Sequence, residues 1–108
     1  MIQRRAIQRW CDTVASEFRP TKIILFGSYA NGKATEDSDV DVLVIMPLAR
    51  GTRDVKQAAA IREQVRAEFP MDVIVRSPSE IRKRLQQQDS FIIEVIRHGR
   101  LMYEGDHP

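Results

Sequence analysis

A chain of 108 residues with 43% hydrophobic and 30% charged side chains has the make-up of one folded globular domain, expected to bury roughly two-thirds of its unfolded surface, and this composition argues against disorder. Its formal net charge of +2 is too small to imply a nucleic-acid partner by itself. No apolar run approaches the ~20 residues that span a bilayer, and MIQRRAIQRW lacks the uninterrupted apolar core of a secretion signal, so a cytoplasmic protein with no membrane role is expected.

In chain order, Ile2, Ala6, Ile7, Trp10, Val14 and Phe18 recur at steps of mostly three or four, predicting an amphipathic helix that stops before Arg19-Pro20. Cys11, the single cysteine, has no partner for an internal disulfide and reads as a packing residue beside Trp10 rather than a catalytic thiol. Thr21 to Phe26 reads as a buried strand closed by Gly27, Ser28 to Asn31 as a helical turn, and Asn31-Gly32 as its breaker. Asp39 to Met46 is a second, β-rich run. After a loop from Pro47 to Gly51, Thr52 can cap a helix with Val55, Ala58, Ile61, Val65 and Phe69 on one stripe, stopped by Pro70.

Met71 to Arg76 is the third strand. Ser77-Pro78-Ser79-Glu80 then starts a helix: Ser77 is the N-cap, Pro78 occupies the first helical position, and Glu80 closes a capping box. That helix runs to Gln87 or Gln88, and another runs from near Ser90 to Gly99, burying some of Phe91, Ile92, Val95 and Ile96. Arg100 to Glu104 is a short closing strand, and Gly105 to Pro108 reads as a frayed tail. Without a repeat or linker, residues 1–108 are expected to form one domain. Arg4-Arg5, Arg82-Lys83-Arg84 and Arg97-His98-Gly99-Arg100 read as solvated faces. His98 suits a helix C-terminus and His107 falls in the tail, so neither is a proposed ligand. Tyr29 and Tyr103 suit stacking or packing equally.

The chemistry concentrates between Ile23 and Met46. Alternation along a strand sends Asp39 and Asp41 to one face, with Val40 and Val42 on the other. Two carboxylates held together in an apolar setting need protons or a cation to compensate them. Mg²⁺ suits that need because it takes oxygen ligands and shares them with phosphates. Gly27 lets backbone approach a phosphate, and Ser28 can offer its hydroxyl and N–H at the start of a helical turn.

A P-loop is excluded, since Ala34 stands where Ser or Thr is required and the chain continues into a strand. A calcium loop is excluded as well, with Val42 in place of its Gly and Leu48 in place of its closing Glu. For Ser28 and Asp39 to face one nucleotide, the first two strands must run antiparallel. For Asp72 to join them, the third must run parallel to the second, over a right-handed helical crossover. On its own, Asp72 reads equally as turn chemistry after Pro70.

Gly27-Ser28, ten residues, then Asp39-Val40-Asp41, with Ser38 before the first aspartate, resembles the signature of the DNA polymerase β-type nucleotidyltransferase superfamily. Within it the chain is most similar to the minimal, MNT-type nucleotidyltransferases. Met71-Asp72-Val73-Ile74-Val75 resembles their strand bearing the third acidic residue, and Leu101-Met102-Tyr103-Glu104 their closing strand. Asn31 departs from the pattern, standing where many relatives carry Arg.

The resemblance implies an α/β (α+β) domain with a mixed sheet flanked by helices. It implies Mg²⁺-dependent transfer of a nucleoside monophosphate, AMP from ATP, to a hydroxyl acceptor. Asp39 and Asp41 would bridge two Mg²⁺ ions, Asp72 would bind the ion beside the acceptor and help remove its proton, and Gly27 and Ser28 would hold the β- and γ-phosphates. Relatives that modify aminoglycosides or tail tRNA carry an extra helical domain, for which this chain leaves no residues, so the acceptor is expected on a second protein rather than a nucleic acid. For the MNT type that protein is a helical HEPN-family toxin, with the nucleotidyltransferase as antitoxin. A non-catalytic module that masks the toxin, and transfer to a small-molecule acceptor, are the alternatives.

Overall fold

The computed structural model describes residues 1–105; His107 and the last residues of the expected tail lie outside the described residues. Nine elements follow in order: α1 (Arg4–Phe18), β1 (Lys22–Phe26), α2 (Ser28–Asn31), β2 (Val40–Ile45), α3 (Asp54–Gln64), β3 (Met71–Arg76), α4 (Pro78–Gln86), α5 (Ser90–His98) and β4 (Arg100–Glu104). The strands form one mixed sheet in the order β3-β2-β1-β4. β1 runs antiparallel to β2 and to β4, while β3 runs parallel to β2, which is the arrangement that the three aspartates demand.

Strand alternation divides the core in two. Ile23, Leu25, Val42, Val44, Val73 and Val75 pack with Ile7, Trp10, Cys11 and Val14 of α1 and Ile61 of α3. On the other face Ile24, Leu43 and Ile45 meet Ile81, Ile92 and Val95 of α4 and α5. Cys11 is fully buried, and that burial pushes its thiol up to about 12, which leaves it protonated and inert at neutral pH.

The helix after β2 differs from the expectation at both ends. Thr52 does not cap it: Arg53 occupies the N-cap position without a side-chain bond. Asp54 instead accepts from the Val55 amide at 2.8 Å and ion-pairs with Arg76 at 2.9 Å. The helix stops at Gln64 rather than reaching Phe69. A helix would give the Val65 carbonyl to the amide four residues on, but here it accepts from Trp10 Nε1 at 2.8 Å. Val65 and Phe69 still pack on the core from an irregular segment, whereas Val55, expected on the stripe, is 61% exposed.

Ser77 caps α4 as expected, its hydroxyl accepting from the Glu80 amide at 3.1 Å. The capping box is half made, because the Glu80 carboxylate is engaged by Arg84 at 3.0 Å. Arg84 also binds Asp89 at 2.9 Å, and Asp89 caps α5 by accepting from the Ile92 amide. That backbone bond and the Arg84 guanidinium hold the Asp89 carboxyl below its ordinary value. These contacts fix the α4–α5 corner over the sheet.

Candidate active site

Three chain segments meet at the edge of the sheet where β1 ends and β2 and β3 begin. Phe26 is paired with Asp41 across the antiparallel ladder, and Asp41 with Asp72 across the parallel one. Asp41 lies on the face it shares with Leu43 and Ile45, but the α4–α5 cover stops short of it, so its side chain is only partly buried.

Asp72 is exposed at the mouth of β3, and Asp39 is exposed one residue before β2 begins. Asp39 therefore stands just outside the strand that was expected to include it. The loop before it ties itself down: the Thr35 amide donates to Ser38 Oγ at 2.8 Å and the Asp37 amide to Thr35 Oγ1 at 3.3 Å.

Gly27 shows why this turn needs glycine. Its φ of 75° and ψ of −156° belong to backbone space that side chains rarely occupy. A Cβ built there would overlap the Asp41 carboxylate. The missing side chain is thus what admits Asp41 to the turn. Gly27 is also the N-cap of α2, its carbonyl accepting from Ala30 and Asn31 at 3.0 and 3.2 Å. Ser28 occupies the first position of α2, half-buried, at the end where helix amides lack intrahelical acceptors. Asn31 serves the turn itself, Oδ1 accepting from the Lys33 amide at 3.0 Å. Tyr29 resolves as a tether, accepting from the Ile2 amide at 3.1 Å, while Tyr103 packs on the core.

The electrostatics single out Asp41. Desolvation by burial raises its pKa first, the charges of Asp72 and Asp39 raise it further, and a side-chain hydrogen bond with Asp72 adds to the effect. A carboxylate raised by its neighbours is one that a cation would relieve. Among the described residues no three His, Cys, Asp or Glu side chains close into a metal cage. The donor set nonetheless fits Mg²⁺, which keeps several waters and binds through one or two carboxylates plus substrate phosphates rather than an all-protein cage. Asp41 and Asp72 supply two such carboxylates, with Asp39 adding negative charge beside them.

Beside this site stands Phe91, one of four apolar residues of α5 of which only some were expected to be buried. Phe26 meets Phe91 of α5 edge to face, with ring centroids 5.4 Å apart at 82°, and Phe91 remains 43% exposed. Ile23-Ile24-Leu25-Phe26 is continuously apolar, so the sequence marked a buried strand without saying which face Phe26 takes, and nothing in it placed Phe91 against that ring.

A model of the nucleotidyltransferase domain matches residues 7–101. The chain belongs to the nucleotidyltransferase family. The chain is therefore a nucleotidyltransferase enzyme, and its mixed sheet flanked by helices is the family's fold. It is 31% identical over 107 residues to a protein of Methanocaldococcus jannaschii, covering 95% of this chain and 100% of that relative. A second protein of the same organism is 36% identical over 81 residues, 72% of this chain and 74% of the relative. Both bear the provisional name of protein adenylyltransferase.

Among solved structures, a provisionally named nucleotidyltransferase from Sulfolobus solfataricus superposes with a TM-score of 0.64 at 20% identity, covering 93% of this chain and 78% of that one. A toxin-antitoxin crystallised with AMP-PNP superposes at 0.55 with 17% identity, covering 92% and 74%. These two likenesses are of fold. The minimal, MNT type that the motifs resemble agrees with all four matches.

If Ser28 belongs to the nucleotide site, Ser28→Ala should weaken nucleotide binding by the value of one lost hydrogen bond, about 0.5–1.5 kcal/mol, while the melting temperature holds. A melting temperature that falls with nucleotide binding unchanged would make Ser28 a structural cap only.

Proposed function

We propose that this nucleotidyltransferase transfers AMP from ATP to a hydroxyl group on a helical partner protein of the HEPN family, and that it acts through that modification as the partner's antitoxin. The observation that carries the reading is the Asp41–Asp72 pair set against the side-chain-free turn at Gly27. The names of the two archaeal relatives support adenylyl transfer to a protein, and the toxin-antitoxin likeness supports a protein partner.

In this mechanism Asp39, Asp41 and Asp72 would hold Mg²⁺ as two ions. Bound Mg²⁺ supplies charge stabilisation for the transferring phosphoryl group and the departing pyrophosphate. Gly27 and Ser28 hold the β- and γ-phosphates, preorganising the leaving group. Asp72, exposed at the mouth of its strand, takes the proton of the acceptor hydroxyl as that oxygen attacks the α-phosphorus. The bond from the α-phosphorus to the bridging oxygen breaks, and pyrophosphate leaves with its electron pair. The partner's surface holds the hydroxyl in line, about 3–3.5 Å from phosphorus.

Incubation with ATP, Mg²⁺ and a co-encoded helical protein should add the mass of AMP to a hydroxyl side chain of that protein, read by intact-mass and peptide spectrometry. A partner left unmodified, yet inhibited equally by the wild-type chain and by Asp41→Asn, would overturn the reading in favour of a masking module.

A further inference from the structure

Phe26 ends β1 directly across from Asp41 and next to Gly27, so whatever lies on its ring lies beside both the acid pair and the phosphate turn. The ring of Phe91 is set against it edge to face and stays 43% exposed. A large aromatic at the rim of a polar site is costly to leave in water; Ile92 and Val95 of α5 are buried, whereas Phe91 stays open beside Phe26. Between α2 and α5 lies a cleft of about 170 Å³, which Phe26, Phe91 and Val95 line with apolar surface and Asn31, Glu94 and His98 with polar groups. It is smaller than the roughly 300–1,000 Å³ of a drug-sized pocket and suits one planar ring system.

We propose that this cleft seats the base of the nucleoside triphosphate against Phe91, an inference that rests on the nucleotidyl-transfer reading of Asp41 and Asp72. Base–aromatic stacking tolerates any base because each presents a π-face, so Phe91 supplies affinity and the polar groups supply preference. Asn31 Oδ1 is engaged by the Lys33 amide, which leaves its amide NH₂ as a donor to a ring nitrogen. The exposed Glu94 carboxylate is an acceptor suited to an exocyclic amine. A base bearing an exocyclic amine, as adenine does, is the ligand of this cleft.

Calorimetric titration of ATP and of inorganic tripolyphosphate, each with Mg²⁺, separates base from phosphates. Phe91→Ala should weaken ATP about tenfold, the value of one stacking contact, and leave tripolyphosphate unchanged, while Phe91→Trp restores ATP and its surface indole is quenched by ATP alone. The inference is overturned if Phe91→Ala leaves ATP affinity unchanged, if it weakens both ligands equally through the fold, or if Phe91→Trp neither rescues nor responds. Asp41→Asn tells the two levels apart. Loss of both ligands in that variant, with ATP unaffected by Phe91→Ala, would move the base elsewhere and leave the transfer reading standing. Unchanged binding of both ligands by Asp41→Asn would overturn the transfer reading and this inference together.

Discussion

Asp41→Asn should sharply reduce transfer and at the same time stabilise the metal-free fold. The two effects have one cause. Asp41 has a raised pKa because it is partly desolvated and faces Asp72 and Asp39, so its ionised form costs the folded state free energy. The native state then holds its proton more tightly than the unfolded chain does. That contribution to stability is full below the ordinary carboxylate pKa and is lost as pH rises through the raised folded value.

An asparagine keeps the shape, can still donate to Asp72, and carries no charge. In EDTA at neutral pH the variant should therefore melt above the wild type, and the gap should close as the pH falls into the carboxylate range. With Mg²⁺ and ATP, transfer should drop by about a hundredfold or more, the size expected when one preorganised electrostatic group is removed. A variant that melts below the wild type at neutral pH would show that the Asp41 charge supports the fold instead.

Gly27→Ala should damage both fold and activity. The glycine's φ of 75° lies in the left-handed half of backbone space, and the added methyl would overlap the Asp41 carboxylate. Backbone strain of this kind costs of order 1–3 kcal/mol. In a domain of this size that corresponds to a fall in melting temperature of roughly 5–15 °C. Relief by moving Asp41 out of the turn would separate it from Asp72, so transfer should be lost even in the fraction that remains folded. Circular dichroism melts with a pyrophosphate-release assay check both parts. A Gly27→Ala protein that melts and turns over as wild type would mean that Asp41 does not sit against this turn.

Much of the strand arrangement that gathers these residues was legible in the sequence. The alternation of Asp39-Val40-Asp41 and the Gly-Ser turn are local patterns, and requiring their carboxylates to face one ligand dictated strand directions that the sheet then displayed. Other features were hidden because they depend on contacts between residues far apart in sequence. The stripe from Val55 to Phe69 is a fair helical pattern, yet a single bond from Trp10 to the Val65 carbonyl ends the helix five residues early. The Ser77 box met its rule at the backbone but lost its carboxylate to Arg84. The Asp89 cap of α5 was not read from the sequence, and the same arginine holds it in place. That only some of Phe91, Ile92, Val95 and Ile96 would be buried was legible, but not which, since periodicity marks an apolar face without saying where the layer beneath it ends. The edge of the α4–α5 cover, which leaves Asp41 and Phe91 partly open, is a property of packing alone.

The most direct test of the central claim, that Asp41 and Asp72 form a metal and triphosphate site at the Gly27 turn, is calorimetric titration of a non-hydrolysable ATP analogue with Mg²⁺ present and with Mg²⁺ removed by EDTA. The carboxylates repel the triphosphate unless a cation lies between them, so binding should be tight with Mg²⁺ and lost without it. Equal affinity in the two titrations would contradict the account.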